Sequence, residues 1–422
     1  MNEPPSDRMN IAMDRRHFVL AGLGTLMASK FVKGCPAIEA PIDVTSLAKW
    51  NSAFAFDYYA QIRSKPGNLF FSPLSISTAF GMTSLGAGGN TRDEMLSTFH
   101  LSKEDEKTHP AFAELLKQLI GKEADPKKRG YQLSVANALW GQVGYQWKQA
   151  FLDATTKHYG AGLRQVDFKG DADNARKTVN TWVADQTNQK IKDLLKPTHV
   201  TPLTRLILTN AIYFKGDWAT QFNVKHTRDG EFLTLAGDKV QTPLMSHKLE
   251  VPYYESSDMQ AIELPYKGKE LSMLIMLPKK RDGLPQLEKT LNVARIGEVT
   301  KGLFNLKNLE ITLPKFKVEQ ELDLKAGLIA LGMKDAWSPA NANFTGLNEK
   351  DELYLSAAVH KAFVEVNEEG TEAAAATGIV FELIGAPVDV PVFRADHPFV
   401  FAIRDKATGS ILFLGRVANP KA

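Results

Sequence analysis

Cysteine is nearly absent from the sequence. Cys35 stands alone among 422 residues, which excludes an intramolecular disulfide and a thiolate metal cluster. The nine histidines are scattered, with no HExxH pattern and no paired spacing, so no metal centre is expected. Net charge is also nearly absent: 51 Lys and Arg against 48 Asp and Glu give a formal +3. That balance sets aside a strongly basic nucleic-acid binder. Lys127, Lys128 and Arg129 form a local basic run, read as a solvated turn. No GxSxG elbow is present, and Gly86-Ala87-Gly88-Gly89 lacks the GxxxxGK[ST] pattern and follows no predicted strand. It reads as a helix connection rather than a phosphate cradle. There is no internal repeat, low-complexity tract or Gly/Ser linker to mark a domain boundary. No cofactor is implied.

What is present begins with a segment set apart from the fold. Asp14-Arg15-Arg16-His17-Phe18-Val19-Leu20 leads into the small apolar stretch Ala21 to Ala28. An arginine pair ahead of a short apolar run is the pattern of a twin-arginine export signal. The run is shorter than the ~20 residues of a spanning helix. Val32-Lys33-Gly34-Cys35 invites two readings: a lipobox, with Cys35 lipidated as an anchor, or an ordinary cleaved leader with an incidental cysteine. Residues 1–40 are read as export signal and linker, so the mature protein is expected in the periplasm, at the cell surface or outside the cell.

Residues 41–422 read as one sheet-rich α+β domain; 44% of the chain is hydrophobic, enough for a large core. Val44 to Ser64 has helical periodicity, with Phe54, Tyr58 and Ile62 on one face. Ser72-Pro73 announces a second helix, serine as N-cap and proline at the first position. A third helix opens at Asn90-Thr91-Arg92-Asp93-Glu94, and others are expected around Ala175 to Leu195 and at Leu322 to Leu331. Strands are expected at Leu133 to Trp140, Arg205 to Phe214, Ala261 to Leu264, Leu271 to Leu277, Leu309 to Pro314 and Leu355 to Val366. The run Leu206 to Phe214 is nearly continuously apolar, as in a strand buried on both faces.

One segment conflicts with its surroundings. After the turn at Glu368-Glu369-Gly370 comes Thr371-Glu372-Ala373-Ala374-Ala375-Ala376-Thr377-Gly378, small and almost featureless, and then apolar residues up to Pro387. Taken with period two, Thr371, Ala373, Ala375, Thr377, Ile379, Phe381 and Leu383 form an uncharged face, while Glu372 and Glu382 share the other. That alternation suits a strand with one face destined for a core. A short Ala-rich helix is the competing reading, opposed by Thr371, Thr377 and the bracketing glycines. A segment mobile in one state and a buried strand in another fits both facts, and burying Ile379, Phe381 and Leu383 could yield ~1.5–3 kcal/mol each.

From Val44 to Pro420 the chain resembles the serpins. The matching stretches occur in family order: Asn68-Leu69-Phe70-Phe71-Ser72-Pro73-Leu74-Ser75, Gly86 to Thr91, Val135 to Trp140, and Thr209 to Trp218. Glu263 to Gly268, the segment after Glu368, Asp396-His397-Pro398-Phe399 and Phe413-Leu414-Gly415-Arg416-Val417 complete the series. The resemblance implies three β-sheets, about eight to nine helices and an exposed reactive-centre loop over about residues 368–392. It implies a polar cluster beneath the central sheet, the shutter, at Ser72, Ser75, Asn210 and His360. The breach, where strand insertion begins, would comprise Trp218, Lys315 and Glu368, the last two as a surface ion pair of ~0–1 kcal/mol. Glu368, Gly370, Thr371, Ala373, Ala375 and Thr377 would form the hinge.

In the family the scissile bond lies about sixteen to seventeen residues beyond the hinge glutamate, in a loop whose insertion is a known instance of strand addition. Counting from Glu368 reaches Ile384-Gly385, with Leu383 and Phe381 as alternatives. All three candidates for the primary side chain are apolar, which implies elastase-, chymotrypsin- or subtilisin-like targets and disfavours a trypsin-like pocket with its buried acid. The implied activity is suicide inhibition by a monomer that forms a covalent complex with a serine protease, no residue of the chain being catalytic. Two other readings are a non-inhibitory serpin, as carrier, chaperone or storage protein, and a cross-class inhibitor of cysteine proteases. Bulky, charged or proline hinge residues would mark the non-inhibitory type, and Thr371, Ala373, Ala375 and Thr377 are none of these.

Overall fold

Local rules explain how the first helices start. In a computed structural model, which describes residues 43–120, 130–160, 162–349, 353–371 and 391–422, α1 spans Val44–Ile62. Asp43 caps it by accepting from the Ser46 N–H at 2.9 Å. Helix α2 (Pro73–Ser84) is capped by Ser72, whose hydroxyl accepts from the Ser75 N–H, with Pro73 at the first position. Every residue of α2 is buried, so this helix lies at the centre of the molecule rather than on it. Residues 1–42 with Cys35, the Lys127–Arg129 run, Ala373, Ala375, Thr377, Phe381, Leu383, Ile384 and Gly385 lie outside the described residues.

Seven further helices follow among the described residues: α3 (Gly89–Thr98), α4 (Asp105–Ile120), α5 (Gln149–Tyr159), α6 (Ala172–Gln186), α7 (Leu284–Thr290), α8 (Val293–Gly302) and α9 (Lys325–Ala330). Helix α6 stops short of the expected Leu195 because Asn188 and Gln189 adopt left-handed φ of 52° and 62°. Leu322 belongs to a strand instead of a helix, and the Asp323 carboxylate starts α9 by accepting from the Lys325 N–H. None of the described helices is long and apolar enough to cross a membrane.

The strands are β1 (Leu69–Phe71), β2 (Tyr131–Gln142), β3 (Leu163–Val166), β4 (Leu206–Asp217), β5 (Arg228–Leu233), β6 (Lys239–Glu255), β7 (Met259–Pro265) and β8 (Leu271–Pro278). The remainder are β9 (Phe304–Pro314), β10 (Phe316–Asp323), β11 (Ala357–Val366), β12 (Gly370–Thr371), β13 (Val392–Arg394), β14 (Phe399–Asp405) and β15 (Ile411–Val417). Six form one sheet in the order β10-β11-β12-β4-β2-β3, with β11 also pairing directly to β4. The other nine form a second hydrogen-bonded set. Two of the three expected sheets are continuous here because the 17-residue β6 pairs with β5 and β9 along most of its length and with β7 at its end.

The central strands of the six-stranded sheet are buried on both faces. On one side α2 and the main core pack against Leu208, Ile212 and Phe214; on the other, α6 and the segment after it cover Trp140, Ile207, Ala211 and Val359. At the far end of the chain, the fully buried Arg416 of β15 donates to the carbonyls of Gly67 (3.0 Å), Arg63 (2.8 Å) and Lys65, and pairs with Glu288 at 2.8 Å. The Tyr59 hydroxyl donates to the same carboxylate at 2.6 Å. A charge this deeply buried is tolerable only with its partners satisfied, and here most of its donors are.

Candidate functional site

The seam between β4 and β11 changes character along its length. In its lower part the strands run parallel and paired, from Ala357 opposite Ile207 to Phe363 opposite Tyr213. Above that, β12 occupies the space between them: Thr371 pairs with Val366 on one side and with Gly216 on the other. A Cβ on Gly370 would sit 2.1 Å from the Gly216 carbonyl oxygen, so only glycine permits this approach. The turn leading into β12 is closed by Asn367, whose Oδ1 accepts from the N–H groups of Glu369 (3.0 Å) and Gly370 (3.3 Å).

The residues that follow β4 grip this turn. The Trp218 N–H donates to the Glu369 carbonyl and the Phe222 N–H to the Glu368 carbonyl, both at 2.8 Å. The Trp218 indole donates to the Asn367 carbonyl at 3.0 Å and stacks on Tyr266, centroids 4.7 Å apart and planes at 11°. The Tyr266 hydroxyl in turn bonds the Thr371 hydroxyl at 2.8 Å. Thr371 is therefore buried on the core side, and the uncharged alternating face starts inward.

Lys315 and Glu368 do pair, at 2.9 Å, but not as a surface pair: the glutamate side chain is only 6% exposed against 40% for the lysine. Thr227 donates to its second oxygen at 2.8 Å. Burial alone would raise the Glu368 carboxyl; the bonds from Lys315, the backbone and Thr227 outweigh it and hold the group below the ordinary glutamate range.

Ser72, Ser75, Asn210 and His360 meet beneath the paired part of the seam, all essentially buried. The Ser72 N–H can only donate, and it points at His360 Nε2 at 3.1 Å. The imidazole is thus neutral with its proton on Nδ1, from where it donates to Asn210 Oδ1. Burial pushes the His360 pKa down to about 3, consistent with that tautomer. Asn210 Nδ2 donates to the Ser75 carbonyl (2.8 Å) and hydroxyl (2.7 Å), and Ser72 donates to the Leu412 carbonyl at 2.6 Å.

A further member was not anticipated. Asn137 of β2 stands directly opposite Asn210, accepts from it and from the Ser75 hydroxyl (3.1 Å), and donates to the Ser75 carbonyl. Its signal was a polar, β-averse side chain inside Val135-Ala136-Asn137-Ala138-Leu139. Thr227 and Tyr266, which complete the upper cluster, carry no comparable local signal.

Residues 49–420 match the family model described as serpin, serine protease inhibitor. The chain belongs to the serpins. It is 41% identical over 387 residues to the human leukocyte elastase inhibitor, covering 89% of this chain and 99% of that one. An uncharacterized serpin-like protein of Thermococcus kodakarensis is 39% identical over 373 residues, covering 88% and 85%. Among solved structures, uncleaved ovalbumin superposes with a TM-score of 0.79 at 30% identity, covering 89% of this serpin and all of that chain. The family model is described as a serine protease inhibitor, and the human relative is named as an inhibitor rather than an enzyme.

Proposed function

We propose that this serpin traps serine proteases as a suicide substrate, by completing a strand insertion that β12 has begun. The observation that carries this is the position of β12: Gly370 and Thr371 pair with β4, and Thr371 pairs with β11 as well. Continuing that register downward would set Ala373 opposite Phe214, Ala375 opposite Ile212, Thr377 opposite Asn210 and His360, and Ile379 opposite Leu208. The small residues would pass the upper seam, the threonine hydroxyl would meet the polar cluster, and the apolar residues would reach the core below it. The sequence alternation and the sheet register thus agree residue by residue.

Chemically, the protease serine would attack the Ile384 carbonyl, forming an acyl-enzyme and releasing the amine of Gly385. Insertion of the segment ending at Ile384 would then carry the acyl-enzyme across the sheet, and distortion of its triad and oxyanion hole would stop deacylation. The His360–Asn210 bond would break as Thr377 enters, which ties the timing of insertion to the buried cluster. The apolar residues Ile384, Leu383 and Phe381 favour elastase-, chymotrypsin- or subtilisin-like targets. The arginine pair and apolar run of the leader support export, with action outside the cytoplasm.

The test is incubation with an elastase-like or subtilisin-like enzyme, followed by denaturing electrophoresis and mass spectrometry. A complex that survives denaturation, with a released carboxy-terminal peptide beginning at Gly385, is the expected result. Cleavage without any such complex would overturn the trapping mechanism, and a peptide starting elsewhere would move the reactive bond.

A further inference from the structure

A cavity of about 210 Å³ lies directly behind the residues that grip the hinge. Trp218, Phe222, Val251 and Leu264 make its buried part, Leu249 and Pro265 are half-buried, and Thr220 and Glu250 stand exposed at its mouth. Leu249, Glu250 and Val251 of β6 are consecutive along this lining. Across from them β9 carries a β-bulge: Leu309 faces Leu249 and Leu306 faces Val251, so β9 holds the extra residue, and its Asn308 takes a left-handed φ of 57°. Glu250, exposed at the mouth, supplies the one carboxylate among the lining residues.

The ligand chemistry follows from the lining. The pocket offers two aromatic walls and aliphatic side chains but a single charge, Glu250, which has no cationic partner among the described residues. An apolar body with one positive end matches it, the ammonium finding the carboxylate and the aromatic faces. A cavity of ~150 Å³ suffices for benzene, so this one has room for a ring and a short arm. We propose that it binds a small hydrophobic ammonium ion of phenethylamine size, and that occupancy steadies the hinge. Steadying follows because the pocket wall and the hinge donors are the same residues: Trp218 holds Asn367 and Glu369, and Phe222 holds Glu368.

That the held turn is the hinge rests on the inhibitory reading above; the binding itself does not. The experiment titrates the full chain with phenethylamine by calorimetry and follows deuterium exchange of the peptide covering 366–371. Saturable binding is expected, weaker by about three- to fivefold for the neutral analogue 2-phenylethanol and for Glu250→Gln, as an exposed charge pair allows. Thr220→Phe, at the exposed mouth, should block it, and the bound amine should slow exchange at 366–371 severalfold. Equal affinity of the amine and the alcohol, or undiminished binding to Thr220→Phe, would remove the site. Binding without slowed exchange would remove the coupling to the hinge. Neither outcome depends on whether a protease is trapped.

Discussion

The upper and lower parts of the β4–β11 seam are held by different kinds of bond. Above, β12 is gripped by single backbone bonds, one indole donor, and an ion pair whose lysine is partly in water. The ion pair's lysine is partly in water, and Asn367 and Glu369 are half-buried, so part of this grip can be exchanged for water, although the Tyr266–Thr371 bond is buried. Below, the strands pair directly over a cluster in which His360, Asn210, Asn137, Ser72 and Ser75 satisfy one another out of reach of solvent. Those groups have no water to turn to, so opening needs a replacement partner or costs the full penalty of unpaired buried groups. In the proposed insertion this difference would divide the labour: the upper part would let the segment after Gly370 enter, and the lower part would set the barrier to going further.

The sharpest way to break this comparison is to block the passage between the two parts. Ala375→Glu would place a carboxylate between Ile212 and Ala362, and the yield of covalent complex should fall by at least about tenfold as the loop is cleaved instead. An unchanged yield would sink the insertion register. Next in size, His360→Ala leaves the Ser72 N–H and Asn210 unpaired and opens a cavity, costing roughly 3 kcal/mol in chemical unfolding. If a variant of the upper clasp cost as much, the contrast would be lost.

Acid offers a third test. The folded His360 pKa of about 3 lies below its unfolded value near 6.5, so the unfolded chain binds the proton first. Stability from this group is complete above about pH 6.5 and declines as pH falls toward 3, by up to ~1.4 kcal/mol per unit. His360→Asn should flatten that part of the pH profile. Glu368 adds a smaller loss at lower pH, since its depressed carboxyl contributes above the ordinary glutamate range and is lost on protonation. Smallest of all, Glu368→Gln should cost only about 1 kcal/mol, given the partly exposed lysine, while increasing exchange at the hinge amides.

Much of this was legible in the chain because it is written locally. The Ser72 cap, Pro73, the buried run of β4 and the inward start of the alternation at Thr371 each follow from near neighbours in sequence. The hairpin of β5 and β6 was not anticipated: Pro243 and Pro252, with His247 and Lys248 between them, break the alternation that would announce a strand. Asn137 was visible as an oddity but acquires its meaning only opposite Asn210, a pairing made across 73 positions. The Lys315–Glu368 pair was foreseen but not its burial, which depends on Thr227 and on the loop carrying Phe222 folding over the hinge.

Arg416 bears on what remains after the loop is cut. A break at Ile384-Gly385 divides the chain into two polypeptides, and nothing covalent joins them, since the only cysteine precedes the domain. The shorter piece would contribute β13, β14 and β15 to the nine-stranded set. Its arginine would stay plugged into the carbonyls of Arg63, Lys65 and Gly67 on the longer piece, with Glu288 as counter-ion. Withdrawing it would strand a charged carboxylate in the core, so the fragments should behave as a permanent heterodimer: one species on a native gel, two on a denaturing one.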